Sequence, residues 1–253
     1  MAGFDSWRDY FTFAHFVRTK ARHVLDAKSQ HFLDAVLESS EKRKTEIPKA
    51  IVLYRSQLAH AFRTQPLLDE NGVEVDCVDV EIPADRDRMV PRADRATEGR
   101  VNAKGIPCLY LATEPNTAMA EVRPWIGSLV SVAAFEVVRN LTVVDCSSDS
   151  TRLLFWEKEP SPEKREERVW SDINRAFSEP VARSDDVADY APTQVLGEAF
   201  KARGFDGIVY ESKLGKGQNV ALFDLKAAEP TNCYLFELKA LNPDFSRKSE
   251  SWH

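Results

Sequence analysis

Cysteine is scarce and unpaired: Cys77, Cys108, Cys146 and Cys233 are the 4 cysteines of 253 residues, and no two form a CxxC. A disulfide framework and a zinc ribbon are thereby excluded, and reduced, buried thiols in a cytoplasmic protein are the expectation. The 5 histidines include no HExxH and no neighbouring Cys or His at zinc spacing, so no metal is expected. No run approaches the roughly 18 apolar residues that span a bilayer, and Met1–Asp9 lacks the basic start and apolar core of a signal peptide. A basic excess is missing as well. With 34 Lys and Arg against 40 Asp and Glu, the net charge of −6 argues against nucleic acid as a partner but leaves room for a local cationic pocket. No GxGxxG follows a strand, so nothing points to a Rossmann redox site. Gly215-Lys216-Gly217 lacks the GxxxxGK[ST] frame of a phosphate loop and reads as a hairpin turn.

What is present is an ordinary packed chain, 43% hydrophobic and 29% charged, which excludes disorder and is long enough to bury a core. Trp7, Phe11, Ala14, Val17 and Ala21 recur at helical steps, as do Phe32, Leu33, Val36 and Leu37. They predict two amphipathic helices docked on the main body, with a partner-binding arm or a subunit interface as the alternative. Ile51–Gln57 is β-rich. Residues 81–104, with Arg86, Arg88, Arg92, Arg95 and Arg100, read as a long polar loop. Pro107–Ala112 predicts a strand and Pro115–Trp125 a helix capped by Thr113. Leu129–Val138 and Leu141–Val144 predict adjacent strands. Helices over Ser161–Phe177 and Pro192–Lys201 follow, the second stopped by Gly204, and then strands over Phe205–Tyr210, Asn219–Phe223 and Cys233–Leu238. The class is α+β: a helical N-terminal extension over residues 1–48 and one domain over 49–253.

Three ordered segments carry the chemistry. They are Gly99–Ala112, containing Gly99-Arg100-Val101-Asn102 and Tyr110; Thr117–Arg123, containing Glu121; and Phe205–Ser212 leading into Gly217–Phe223. Together they resemble the RES domain, a bacterial family named for an Arg, a Glu and a Ser, whose best-known members are toxins of toxin–antitoxin pairs. Tyr110 lies ten residues after Arg100 and Glu121 twenty-one, the family's arrangement, and Ser212 ends a predicted strand. The resemblance runs from about Leu53 to Leu238 and is to the longer members of the family.

That resemblance implies an ADP-ribosyltransferase-like fold, a split β-sheet with flanking helices that binds NAD in its cleft. It implies NAD as substrate rather than cofactor, cleaved by phosphorolysis or hydrolysis, with phosphate a candidate acceptor and an antitoxin a candidate partner. Protein ADP-ribosylation is the alternative activity, and a non-catalytic partner-binding module is the alternative class. The residue types suit glycosidic cleavage. Positive charge develops on the ribose as nicotinamide leaves, and the Glu121 carboxylate can stabilise it. Arg100 offers a guanidinium fork to the pyrophosphate, with Arg55 as a second phosphate contact. Tyr110 can lay its ring against nicotinamide while its hydroxyl keeps a polar partner. Ser212 has no His and Asp to activate it, so it is read as a hydrogen-bond partner for ribose or phosphate rather than a nucleophile. Asn219 and Tyr210 are supporting candidates.

Overall fold

The computed structural model describes residues 3–147, 158–179 and 187–241. Two helices come first, α1 (Asp9–Thr19) and α2 (Ala27–Ser40). The Asp26 side chain caps α2 by accepting from the Ser29 backbone N–H at 2.8 Å. On α1 the buried apolar positions are Tyr10, Phe13, Ala14 and Val17, a stripe at three- and four-residue steps. Phe11, expected in the stripe, is 43% exposed instead. The register that places Phe13 against Phe32, with ring centroids 4.7 Å apart, turns Phe11 outward.

The strands are β1 (Lys44–Ile47), β2 (Val52–Gln57), β3 (His60–Leu68), β4 (Glu74–Pro83), β5 (Leu109–Ala112), β6 (Leu129–Val137), β7 (Leu141–Asp145), β8 (Gly207–Glu211), β9 (Gln218–Leu222) and β10 (Ala228–Glu237). Helices α3 (Arg86–Met89), α4 (Pro115–Glu121), α5 (Pro162–Ser178) and α6 (Ala191–Ala202) lie between them. Eight strands form one mixed sheet in the order β1-β7-β8-β9-β5-β2-β6-β10. Its parallel pair is β7–β8, which needs a crossover, and α5 and α6 supply it. β5 and β2 share a single register pair, Tyr54↔Ala112, whereas β2 runs beside β6 from Val52↔Glu136 to Gln57↔Ser131. The sheet is therefore split between β5 and β2, in the α+β class expected.

Period-two alternation assigns the two faces of the larger half. Val144, Ile208, Tyr210 and Ala221 join a core with α1, α2, α5 and α6, around Phe13, Phe32, Trp170, Phe177 and Phe200. Val143, Val209, Val220, Leu222, Leu109 and Leu111 face the other way, into a second core with Leu53, Ala133, Phe135 and Val137 from the smaller half. The two halves thus fold over a common interior. The N-terminal helices share the first core with the crossover helices, and Lys44–Ile47, inside the segment 1–48, is an edge strand beside β7.

Several expectations are corrected. Strands β6 and β7, joined by Val138-Arg139-Asn140, are not neighbours, because the chain steps at that point from one half of the sheet to the other. Lys49 N–H bonds the Asn140 side chain, and Asp206 accepts from Thr142 N–H and Arg139, so the connection is held without a hairpin ladder. α4 ends at Glu121 rather than Trp125, since Arg123 adopts φ 49° and breaks the helical path. Glu114, not Thr113, occupies the N-cap, and makes no side-chain cap bond. The polar stretch 81–104 includes the end of β4 and all of α3. Cys77 is exposed and Cys233 only half-buried, whereas Cys108 and Cys146 are buried. Burial pushes the Cys108 thiol up to about 12, which makes it inert at neutral pH.

The β3–β4 hairpin, a separate two-stranded sheet, was not expected from the sequence, and neither were β1 and α3. The hairpin's signals were Asn71-Gly72, with Gly72 at φ 78°, and the alternation Val78-Asp79-Val80-Glu81-Ile82, but both strands are exposed over most of their length and β3 has no such alternation. Among the described residues no helix is long and apolar enough to cross a membrane.

If α1 and α2 belong to the main core, Phe13→Ala should destabilise the whole protein by about 3–5 kcal/mol, in one cooperative transition. Chemical denaturation followed by tryptophan fluorescence tests this. An unchanged main transition preceded by a small separate one would make the helices an independent unit.

Candidate active site

A cleft of about 290 Å3 opens at the split in the sheet, and Arg55, Arg100, Tyr110, Glu121, Tyr210 and Asn219 all line it. Five of these were singled out in the sequence as primary or supporting candidates at the same chemistry, together with Arg55 as a phosphate contact. Ser212 reaches the cleft through Glu121.

Glu121 is the last residue of α4, where the helix dipole disfavours a negative charge. Two donors offset that. Ser212 Oγ donates to Glu121 Oε1 at 2.7 Å and Asn219 Nδ2 donates to the same oxygen at 2.7 Å. Oε2 is left without a hydrogen bond among the described residues, so the carboxylate is fixed by one oxygen and available through the other. Asn219 is placed by its pairing between Tyr210 on β8 and Ala112 on β5. Ser212 Oγ accepts the backbone N–H groups of Leu214 and Gly215, each at 3.1 Å. Its one proton is therefore committed to Glu121, which orients a carboxylate and does not prepare a nucleophile.

Arg100 projects from a loop that is knit tightly despite its polar composition. Asn102 Nδ2 donates to the carbonyls of Thr97 and Ile106 at 2.9 and 2.7 Å. Tyr110 Oη donates to Asn102 Oδ1 at 2.6 Å and accepts the Val101 N–H at 3.0 Å. Gln194, from α6, donates to the carbonyls of Gly99 and Asn102 at 2.9 and 3.1 Å. Position 99 must be glycine here, because a Cβ would lie 2.5 Å from Tyr110 Oη. The Tyr110 hydroxyl has the polar partners expected of it, and burial raises its pKa well above the ordinary phenol, so it stays protonated as a donor. Burial first, and then the neighbouring Glu121 charge, likewise raise the Tyr210 pKa.

Among the described residues the two arginines of the cleft, Arg55 and Arg100, have no carboxylate partner. Arg100 Nη1 donates to the Ala176 carbonyl at 3.3 Å, and its guanidinium lies 5.7 Å from the Tyr190 ring. Arg55 Nη1 donates to the Tyr110 carbonyl at 3.0 Å, while its Nε is buried with no partner among the described residues. Burial lowers the Arg55 pKa, because the guanidinium is largely removed from water. An anionic ligand would satisfy both groups. Among the described residues no cluster of His, Cys, Asp and Glu side chains is arranged to hold a metal ion.

A larger groove of about 800 Å3 lies on the other side of α4, lined by Met119, Trp125, Val130, Leu214, Phe236 and Leu241 among others. Its lining is largely apolar and includes none of Arg55, Arg100, Tyr110, Glu121, Ser212 and Asn219. Size alone does not make it the reactive centre.

Sequence reasoning did not find Gln194 or Thr117, both of which hold site loops in place. Gln194 is ninety-two residues from its Asn102 contact and gave no signal. Thr117 stands one helical turn before Glu121, a spacing visible in the sequence, but its partner Gly217 is not.

The family model for the RES domain matches residues 79–236, so the match begins in β4 and takes in every singled-out residue except Arg55. A chain in the crystal structure of the M. tuberculosis MbcT–MbcA toxin–antitoxin complex is similar at 14% identity, covering 81% of this chain and 97% of that chain with a TM-score of 0.43. No curated protein matches.

Tyr110→Phe would leave the Val101 N–H and Asn102 Oδ1 without their partner. It should cost about 1–3 kcal/mol of stability and speed hydrogen exchange at Val101. A cost within experimental error, with unchanged exchange, would show that the hydroxyl does not hold the Arg100 loop.

Proposed function

Since the chain belongs to the RES domain family, we propose that it consumes NAD by breaking the bond between nicotinamide and ribose, with water or phosphate as acceptor. The observation that carries this reading is the pairing, in one cleft, of a carboxylate held by a single oxygen with two guanidinium groups that have no carboxylate partner among the described residues.

Each residue then has a defined task. Arg100 and Arg55 bind the pyrophosphate, which supplies the negative charge that both lack. Tyr110 and Tyr210 line the cleft where the nicotinamide ring lies, and the Tyr110 hydroxyl is already engaged in holding the Arg100 loop. Glu121 Oε2 faces the ribose carbon as the glycosidic bond lengthens. The electron pair of that bond leaves with nicotinamide, positive charge develops on the ribose, and the carboxylate stabilises it. The acceptor oxygen then bonds to the same carbon and releases its proton. Ser212 and Asn219 keep the carboxylate aimed during this step.

The cleft is at the small end of ligand sites, which run from roughly 300 to 1,000 Å3. It suits the nicotinamide ribose and the adjoining phosphates, with the adenosine outside. A toxin role within a toxin–antitoxin pair, as in the family's best-known members, is proposed as the cellular setting, with an antitoxin protein as partner.

Mass-spectrometric analysis of NAD incubated with pure protein, with and without phosphate, tests the reading. Free nicotinamide should appear with ADP-ribose, or with its phosphorylated form if phosphate is the acceptor. ADP-ribose found on protein side chains instead would make the chain a transferase, and intact NAD would leave a binding module. Glu121→Gln keeps size and hydrogen bonding while removing the charge, so turnover should fall at least about a hundredfold with NAD binding retained. Arg100→Lys should weaken NAD binding by about tenfold, because a point charge replaces a bidentate fork. Wild-type values of both would refute these roles.

A further inference from the structure

Glu121 and Thr117 lie one turn apart on α4, so both face the turn that connects β8 to β9. Glu121 grips the start of that turn through Ser212. Thr117, fully buried, grips its end: its Oγ1 accepts the Gly217 N–H at 2.9 Å. The fit at this second point is close. A Cβ at position 215 would lie 2.5 Å from Thr117 Oγ1, and one at 217 would lie 2.7 Å from Thr113 Oγ1 and 2.8 Å from Thr117 Oγ1. Glycines at both positions let the backbone of the turn rest directly on the helix. Thr113 extends the contact, its Oγ1 accepting the Gln218 N–H at 2.9 Å and its own N–H bonding the Gln218 carbonyl at 2.9 Å.

We propose that Thr117 is a positioning residue that sets the spacing between the β8–β9 turn and α4, and so aims Glu121 through Ser212. The inference rests on the NAD-cleaving reading of Glu121. Ser212 is held on one side by the N–H groups of Leu214 and Gly215 and on the other by Glu121. Any slide of the turn along the helix would therefore pull Ser212 from the carboxylate before it disturbed the arginines, which lie on other elements. The expected signature is a loss in the chemical step with little loss in substrate binding. Gln194 provides the contrast. It holds the Arg100 loop from α6, so its loss should act on NAD binding.

The test compares Thr117→Val, which keeps the shape but removes the acceptor, with Thr117→Ser, which keeps the acceptor. Thr117→Val should lower kcat by about tenfold with KM for NAD within about twofold, and Thr117→Ser should restore kcat. Gln194→Leu should show the reverse split, with KM raised more than kcat is lowered. Hydrogen exchange at Leu214, Gly215 and Gly217, measured without NAD, should accelerate in Thr117→Val and return in Thr117→Ser. Unchanged exchange at these amides, or accelerated exchange with wild-type kcat, would overturn the positioning role. Because exchange is read without substrate, a wild type that fails to turn NAD over would refute the proposed function, while the clamp would still stand or fall on the amide rates.

Discussion

The break between β5 and β2 governs the architecture of the site. Most strands of the sheet are zipped to a neighbour over several residues, but at this seam only Tyr54 and Ala112 oppose each other. Beyond that pair the ladder opens, and the space is lined by side chains from both halves: Arg55 from β2, Tyr110 from β5, and Asn219 from β9 next to it. A sheet edge exposed inside a protein would leave backbone groups unsatisfied. Here Arg55 donates to the Tyr110 carbonyl across the gap, so the seam is bridged by a side chain where it is not bridged by the ladder. α4 follows β5 directly and packs on β2, which puts its last residue, Glu121, at the mouth of the same opening.

The polar loops around the opening are fixed from outside it. The loop of Arg100 is tied to α6 by Gln194 and to β5 by the Tyr110 hydroxyl, and the turn of Ser212 is tied to α4 by Thr117. Each tie is a hydrogen bond to a partly or fully buried group, so breaking one leaves an unsatisfied partner and costs more than the bond itself contributes. Among the buried polar atoms left without a partner in the described residues, Arg55 Nε and Ser56 Oγ belong to residues that line the cleft. Strain of this kind is expected where a ligand completes the structure.

The sequence held much of this, unevenly. Helices α5 and α6 and strands β5, β8 and β9 were legible because their apolar periodicity is decided locally, by faces that alternate between two cores. The motif residues Arg100, Tyr110, Glu121 and Ser212 were legible as an ordered set, and the structure brings their elements together around one cleft. The β3–β4 hairpin was missed because β3 shows no apolar alternation, and the one in β4, Val78-Asp79-Val80-Glu81-Ile82, runs into a stretch whose charge reads as loop. The separation of β6 from β7 was hidden for another reason: a short connection between two β-branched runs normally makes a hairpin, and only the split sheet overrules it. The stripe on α1 was misjudged by one position at Phe11, since Tyr10 and Phe13 compete for the same face and only their packing on Phe32 decides. Thr117 and Gln194 were missed because their meaning lies in partners distant along the chain.

The most direct measurement is a crystal structure of the Glu121→Gln protein with NAD, in which the substrate remains intact. The account predicts the pyrophosphate against Arg55 and Arg100, and the bond between nicotinamide and ribose beside residue 121 with Ser212 and Asn219 still in contact with its side chain. NAD seated elsewhere, such as in the apolar groove beyond α4, or bound in the cleft with its phosphates away from both arginines, would contradict it.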